Sequence, residues 1–401
     1  MTHVKRIFSI VAGISLFCSS TGFSQTTFTN GENVLELSGT IAAYYNWRFL
    51  DPNNPNNHVN NNISQPLDKK NNGFGLGTAR LNLAGMYGSK YEYRLEFDMD
   101  ALGTPASSSN PGNYSPLLNA YFVYKPVRGF SIKAGYAKLP YSANNMAYYP
   151  NQPYWSRAQI VSGDIFSRRD LGVTLQQSLL HEHIRIWAGI YTGMGEYSIT
   201  NVTSGNYDAN GKPEYAGRID FSTNKYDFNS IYDTRNSQRP VISVGFNGRY
   251  TEKTQTITGL SDYDLKIISG KKTIIGMDAA IAYKGISAQF EIHQLIISPT
   301  NADTARLQGK NTTYFRAGGL FGQLNYYNRK LKSGVYVRYD NFIPNDLVKD
   351  NMEQTLSFGY NFFLKGFKSM LRTQYLYRLD KNNPNLLKVS DELRIGWQYM
   401  F

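Results

Sequence analysis

Charged side chains in this chain recur at every second position of apolar segments. That spacing suits electrostatics better than covalent chemistry. Between Tyr91 and Asp100, Glu92, Arg94, Glu96, Asp98 and Asp100 alternate with Tyr91, Tyr93, Leu95, Phe97 and Met99. A β-strand sends successive side chains to opposite faces, so this segment carries one charged face and one apolar face. Residue types that serve metal or covalent chemistry do not assemble in the same way. His181-Glu182-His183 sits in an expected short turn and lacks the HExxH spacing of a helical zinc site. Gly73, Gly75 and Gly77 precede no helix, so they make no dinucleotide fingerprint. No hydrolase triad pattern stands out. No metal, no cofactor and no enzymatic activity are therefore expected.

The elements that position the charges are strands. Alternating segments are expected at 34–49, 74–87, 91–100, 117–124, 130–137, 171–178, 184–191 and 215–222. A second set falls at 241–250, 273–283, 286–296, 314–327, 334–342, 355–364 and 369–379, with a last one ending at Phe401. Connections alternate between short turns, such as Gly88-Ser89 and Lys284-Gly285, and long loops. The link from 222 to 241 breaks that rhythm, being long for a turn. Sixteen is an even number, which puts both chain ends on one side. Strands in lipid must close, because an open edge leaves backbone groups unpaired. Sixteen strands also leave an aqueous lumen. The fold class expected is all-β, a transmembrane antiparallel barrel of about sixteen strands.

A charge turned to lipid near midplane costs about 2–4 kcal/mol for Arg or Lys, so the charged faces must line the lumen. Arg94 and Arg185 then point inward. By the same parity so do Arg48, Arg80, Lys133, Arg218, Arg249, Arg316, Arg338, Arg372, Arg378 and Arg394. They meet Glu36, Asp220, Asp278, Glu291, Asp340 and Glu392. The lumen is mixed and mildly basic, and many of these charges are expected to pair along the wall. The loop from Leu139 to Arg169 is too long for a plain connector. It carries Trp155, Arg157, Asp164, Arg168 and Arg169. Folded inward as the third loop, it would narrow the pore and set its selectivity. The expected pore-lining, anion-guiding residues are Arg80, Arg94, Lys133, Arg157, Arg168, Arg169, Arg338 and Arg372.

Composition agrees. Lys5 and Arg6, the apolar run Ile7–Phe17 and small polar residues to Gln25 read as a secretory signal peptide. Domains are therefore expected at 1–25 (signal) and 26–401 (barrel). Cys18, the one cysteine, would leave with the signal, so no disulfide is available. The formal charge is +12, and losing Lys5 and Arg6 would leave +10. An exported chain meets no nucleic acid routinely, so this surplus is expected to act on anions in a pore. The 31 tyrosines and 22 phenylalanines suit aromatic girdles at two membrane interfaces.

Two stretches carry a resemblance. The ending Leu393-Arg394-Ile395-Gly396-Trp397-Gln398-Tyr399-Met400-Phe401 resembles the C-terminal signal of bacterial outer-membrane barrels. The run Leu118 to Pro126 followed by Phe130 to Tyr141, then Phe166-Ser167-Arg168-Arg169-Asp170-Leu171-Gly172-Val173, resembles the phosphate-selective porins O and P. Ala216-Gly217-Arg218 and Gly276-Met277-Asp278-Ala279-Ala280 add to it. The resemblance implies a homotrimeric sixteen-stranded barrel in outer-membrane lipid, an inward third loop and arginines that guide anions. This lumen holds nearly as many acids as bases, so the preference expected is modest. The expected function is an outer-membrane porin passing small hydrophilic solutes, phosphate-like anions included. The alternatives are an outer-membrane barrel enzyme and a structural or secretion-associated barrel without an open channel.

Overall fold

The structure is a computed structural model. It describes residues 26–49, 72–99, 116–162, 167–195, 211–224, 227–228, 231–253, 269–300, 306–379 and 391–401. The expected signal peptide, Asp100 and Asp164 lie outside these residues.

Sixteen antiparallel strands close the barrel: β2 (Asn33–Phe49), β3 (Asn72–Tyr87), β4 (Tyr91–Asp98), β5 (Leu117–Tyr124), β6 (Phe130–Lys138), β7 (Arg169–Leu179), β8 (Ile184–Tyr191) and β9 (Glu214–Ser222) make one half. The other half is β10 (Val241–Lys253), β11 (Gly270–Tyr283), β12 (Ile286–Pro299), β13 (Phe315–Asn328), β14 (Ser333–Ile343), β15 (Glu353–Phe363), β16 (Ser369–Arg378) and β17 (Asp391–Met400). Each strand pairs with its sequence neighbours, and β17 pairs with β2 from Asp391↔Phe49 to Met400↔Thr40. Every expected segment is a strand, and the ends shift by a few residues at most. A short additional strand, β1 (Thr26–Asn30), pairs with Asn33–Leu37 at the foot of β2.

The turns follow local chemistry. Lys284 and Gly285 both adopt positive φ (48° and 83°), the requirement of the two-residue hairpin turn that matches strand twist. At the seam, Phe401 and Gly39 exchange two backbone hydrogen bonds of 2.9 and 3.0 Å. A Cβ on Gly39 would lie 2.3 Å from the Phe401 ring, so glycine provides the seat for the terminal aromatic.

The outer face is apolar, with Ile41, Leu95, Leu175, Ile190, Ile275 and Leu324 exposed along it. Aromatic clusters mark both ends. Tyr45 packs on Trp47 (4.4 Å) and Phe74 (4.9 Å) at the long-loop end. Tyr91 stacks on Tyr124 (5.2 Å) and Phe122 (5.6 Å) at the short-turn end. These are the girdles that the composition foretells.

Arg316, expected to face the lumen, does not. Arg316 is exposed on the outer face, its guanidinium 5.5 Å above the Tyr314 ring, next to a long loop. The inward positions beside it, Phe315 and Ala317, are apolar because they pack on the inserted loop. A cation near the membrane boundary costs only about 0–1 kcal/mol, so the outward placement is tolerated.

Candidate functional site: a cationic passage beside an inserted loop

The long loop between β6 and β7 enters the barrel and docks on the opposite wall. It begins at Lys138, whose Nζ donates to the Ala147 carbonyl at 2.5 Å. A single helical turn, α1 (Ala143–Met146), follows. Glu291 on β12 receives its start: Ser142 Oγ and the Asn144 amide each donate to that carboxylate at 2.6 Å. Burying those donors without an acceptor would cost about 1–3 kcal/mol, so Glu291 fixes where the loop lands.

The next residues run along β14–β17. Arg372 donates to the Tyr154 carbonyl (3.0 Å) and the Pro150 carbonyl (3.4 Å), and also bonds Gln398. The Gln374 side-chain oxygen accepts from the Trp155 amide (2.7 Å) and the Ser156 amide (3.0 Å). Arg338 donates to the Ser156 carbonyl at 3.0 Å. The Trp155 ring presses on Gly77 of β3 and Gly396 of β17, where a Cβ would sit 2.6 Å from ring atoms. Gly75 seats the Tyr44 ring in the same manner. Gly75 and Gly77 of β3 are thus a packing surface for aromatics, whereas nothing among the described residues packs on Gly73. The loop then returns through Ala158, Ile160 and Val161, buried against Ile274, Leu295, Phe315, Phe321 and Phe342.

This docking leaves the other side of the lumen, along β3–β7, for the charges. Arg80 pairs with Glu96 at 3.3 Å, and the charges of Arg169, Lys138 and Arg94 act on the same carboxylate. Arg157 and Arg168 join from the loop: both Arg168 and Arg169 act on Arg157. The Tyr149 ring lies between two guanidiniums, Arg80 at 5.4 Å and Arg157 at 5.5 Å from its centroid. Arg157 also donates to the backbone and side chain of Asn144. Burial lowers the Arg157 guanidinium to about 10, against an opposing effect of Tyr154. It therefore stays charged at neutral pH. Lower down, Lys133 lies 5.1 Å over the Tyr121 ring, with Arg94 and Glu92 near it. Register places Arg94 opposite Ala84, four positions below Arg80, or about 13 Å along the wall.

Six expected residues therefore gather on one side: Arg80, Arg94, Lys133, Arg157, Arg168 and Arg169, of which Arg169 is itself buried at 4% exposure. Arg338 and Arg372 do not join them. They face inward as parity requires, yet they are 1% and 0% exposed, covered by the loop they bind. Lys138 was missed. It lies five residues from Lys133, a spacing that puts two side chains on opposite faces of a regular strand. Gly135 between them has φ +126°, a conformation open to glycine, and alternation breaks there. That glycine was the available signal. On this side of the lumen, among the described residues, seven cations meet Glu92, Glu96 and Asp98 of β4 and Asp170 of β7.

Next to this side, on β8–β11, charges are paired. Arg218 binds Asp278 (2.5 and 2.8 Å), Arg185 binds Asp220 (3.1 Å), and Arg249 binds Glu214 (2.6 Å). These are the lateral ion pairs expected of a stiff wall.

A closed sixteen-stranded barrel with an apolar outer belt, two aromatic girdles and a charged interior is an outer-membrane porin in form. The family model described as "Phosphate-selective porin O and P" matches residues 56–401, and the chain belongs to that family. It is a passive porin of the bacterial outer membrane. Among solved structures it is similar to an anion-selective porin from Comamonas acidovorans, at TM-score 0.58 and 10% identity. That match covers 92% of this chain and 100% of the other. OmpT of Vibrio cholerae in its trimer form matches at TM-score 0.56 and 10% identity, covering 92% and 99%. The outer-membrane channel DcaP of Acinetobacter baumannii matches at 0.55 and 12%, covering 95% and 100%. At these identities the likeness concerns the fold. No curated protein sequence matches this chain.

Proposed function

We propose that this porin conducts small hydrophilic solutes with a modest preference for small anions, phosphate-like ones included, and catalyses no reaction. The observation that carries the reading is the gathering of Arg80, Arg94, Lys138 and Arg169 around a single carboxylate, Glu96, with Arg157 beside Arg168 and Arg169. A narrow passage with low-dielectric walls focuses such a surplus of one sign onto passing ions. Arg94 and Lys133 extend the cationic side toward the periplasmic turns. Arg338 and Arg372 serve as anchors of the loop. The passage is bounded on its other flank by that loop, which sets its width.

Residues 1–25 are proposed as a cleaved signal and 26–401 as the barrel domain. Assembly as a homotrimer is also proposed, in keeping with the family and with the trimer form of Vibrio OmpT. The test is incorporation of the purified protein into planar bilayers. Discrete conductance steps are expected. A protein that inserts but shows no steps would favour a barrel enzyme or a non-conducting structural barrel.

A further inference from the structure

The link between β9 and β10 lies at the short-turn end, yet it spans residues 223–240 and its described part enters the lumen. Ile231, Tyr232 and Asp233 are 1%, 0% and 2% exposed. Ser287 on β12 donates to the Ile231 carbonyl at 2.5 Å. The Tyr232 ring packs on Phe363 (5.6 Å) and presses on Gly334, where a Cβ would be 2.7 Å away. Asp233 holds the turn shut: it accepts from the Ser237 amide (2.8 Å), the Ser237 hydroxyl (2.8 Å) and the Gly285 amide of the neighbouring hairpin (2.9 Å). Phe228 lies under two wall cations, Arg185 at 4.6 Å and Arg218 at 5.3 Å.

This turn also meets the loop that descends from the other side. Ile231 clusters with Tyr154 and Tyr336. The Asn361 amide bridges the two, donating to the Pro153 carbonyl (3.0 Å) and to the Tyr232 hydroxyl (2.9 Å). From these contacts we propose that Phe228, Ile231 and Tyr232 complete a two-part septum, so that solutes must pass along β3–β7 beside the cationic cluster. The wall behind the septum carries paired charges, Arg185–Asp220 and Arg218–Asp278. A solute there would meet little net positive charge. The turn thus determines selectivity by shutting off an unselective path. This inference rests on the channel reading above.

The test replaces residues 224–239 with Asn-Gly and compares the variant with the natural chain in planar bilayers. Conductance is expected to rise by roughly one-half, and anion preference to fall, because the unselective side widens. Ser287→Cys supplies a second measurement in each background. Ser287 is 3% exposed under the turn. The thiol should resist a membrane-impermeant maleimide with the natural turn and react at least tenfold faster with the short one, since reactivity follows access. Unchanged conductance and selectivity in a folded, conducting short-turn variant would overturn the proposal, as would equal thiol reactivity in both backgrounds. A natural chain that shields the thiol but does not conduct would instead defeat the channel reading and leave the septum intact.

Discussion

Arg372 and Trp155 hold each other twice. The Arg372 guanidinium lies 4.6 Å over the indole ring, and the indole Nε1 donates to the Arg372 carbonyl at 3.1 Å. One residue is on the barrel wall and the other is in the inserted loop, so the pair fixes the loop across the lumen. Arg372→Ala leaves the Tyr154 carbonyl without its buried donor, while the Pro150 carbonyl keeps the Gln398 amide at 2.8 Å. Such an unpaired group costs about 1–3 kcal/mol. The variant is expected to lose its heat-resistant form at lower temperature and to show larger open-channel current noise. Arg378→Ala, whose partner is Glu353 at 3.7 Å, touches no loop residue among those described and should leave the noise unchanged. Equal noise in all three proteins would contradict the anchoring role.

The cationic cluster predicts opposite effects for opposite charges. Replacing Arg168 and Arg169 together by Ala should lower the anion-to-cation permeability ratio. A unit charge about 4 Å from an ion in water is worth about 1 kcal/mol, of opposite sign for an anion and a cation, so each loss changes the ratio by up to about thirtyfold. Glu96→Gln should raise the ratio by a similar factor, because it removes the carboxylate on which four cations act. Ratios that move in the same direction, or not at all, would shift the filter to another part of the wall.

Arg157 makes the pH dependence specific. Burial lowers its guanidinium to about 10. A lowered value in a base means that charge is lost as pH rises through it and is complete below it. Anion preference should decline as pH climbs through 10. Arg157→Gln should start lower and decline less over the same range. Reversal potentials at stepped pH check both expectations.

Seam closure depends on the terminal aromatic and its seat. Deleting Phe401 removes two backbone hydrogen bonds and the ring that covers Gly39. The yield of folded, heat-modifiable barrel should fall severalfold. Gly39→Leu should do the same from the other side, since its Cβ would collide with the ring. Normal yields of both variants at native expression levels would detach the seam from assembly.

The strands were legible because lipid enforces a two-residue period: Leu393 to Phe401 and Tyr91 to Asp98 could be read without any contact map. Parity also assigned Arg80, Arg94 and Lys133 to one face, and the structure gathers them on the side of the barrel formed by β3–β7. It failed where the lumen ceases to be water. Phe315 and Ala317 point inward because a loop covers them, and Arg316 was therefore assigned to the wrong face. Arg338 and Arg372 were expected at the pore surface for the same reason, since no local pattern tells an arginine under a loop from one in solvent. Lys138 was hidden by the break in alternation at Gly135. The length of the 223–240 link was visible, but its burial depends on Asn361, Gly334 and Ser287, which are far away in sequence.

The proposed cation-lined passage favours anions, and a zero-current potential measures that preference directly. A tenfold potassium chloride gradient across a bilayer holding the natural protein should give a potential whose sign shows chloride permeating faster than potassium. The bias should shrink as both concentrations rise toward molar, where the Debye length falls to about 3 Å. A potential of the opposite sign at low salt, showing potassium favoured, would contradict the account.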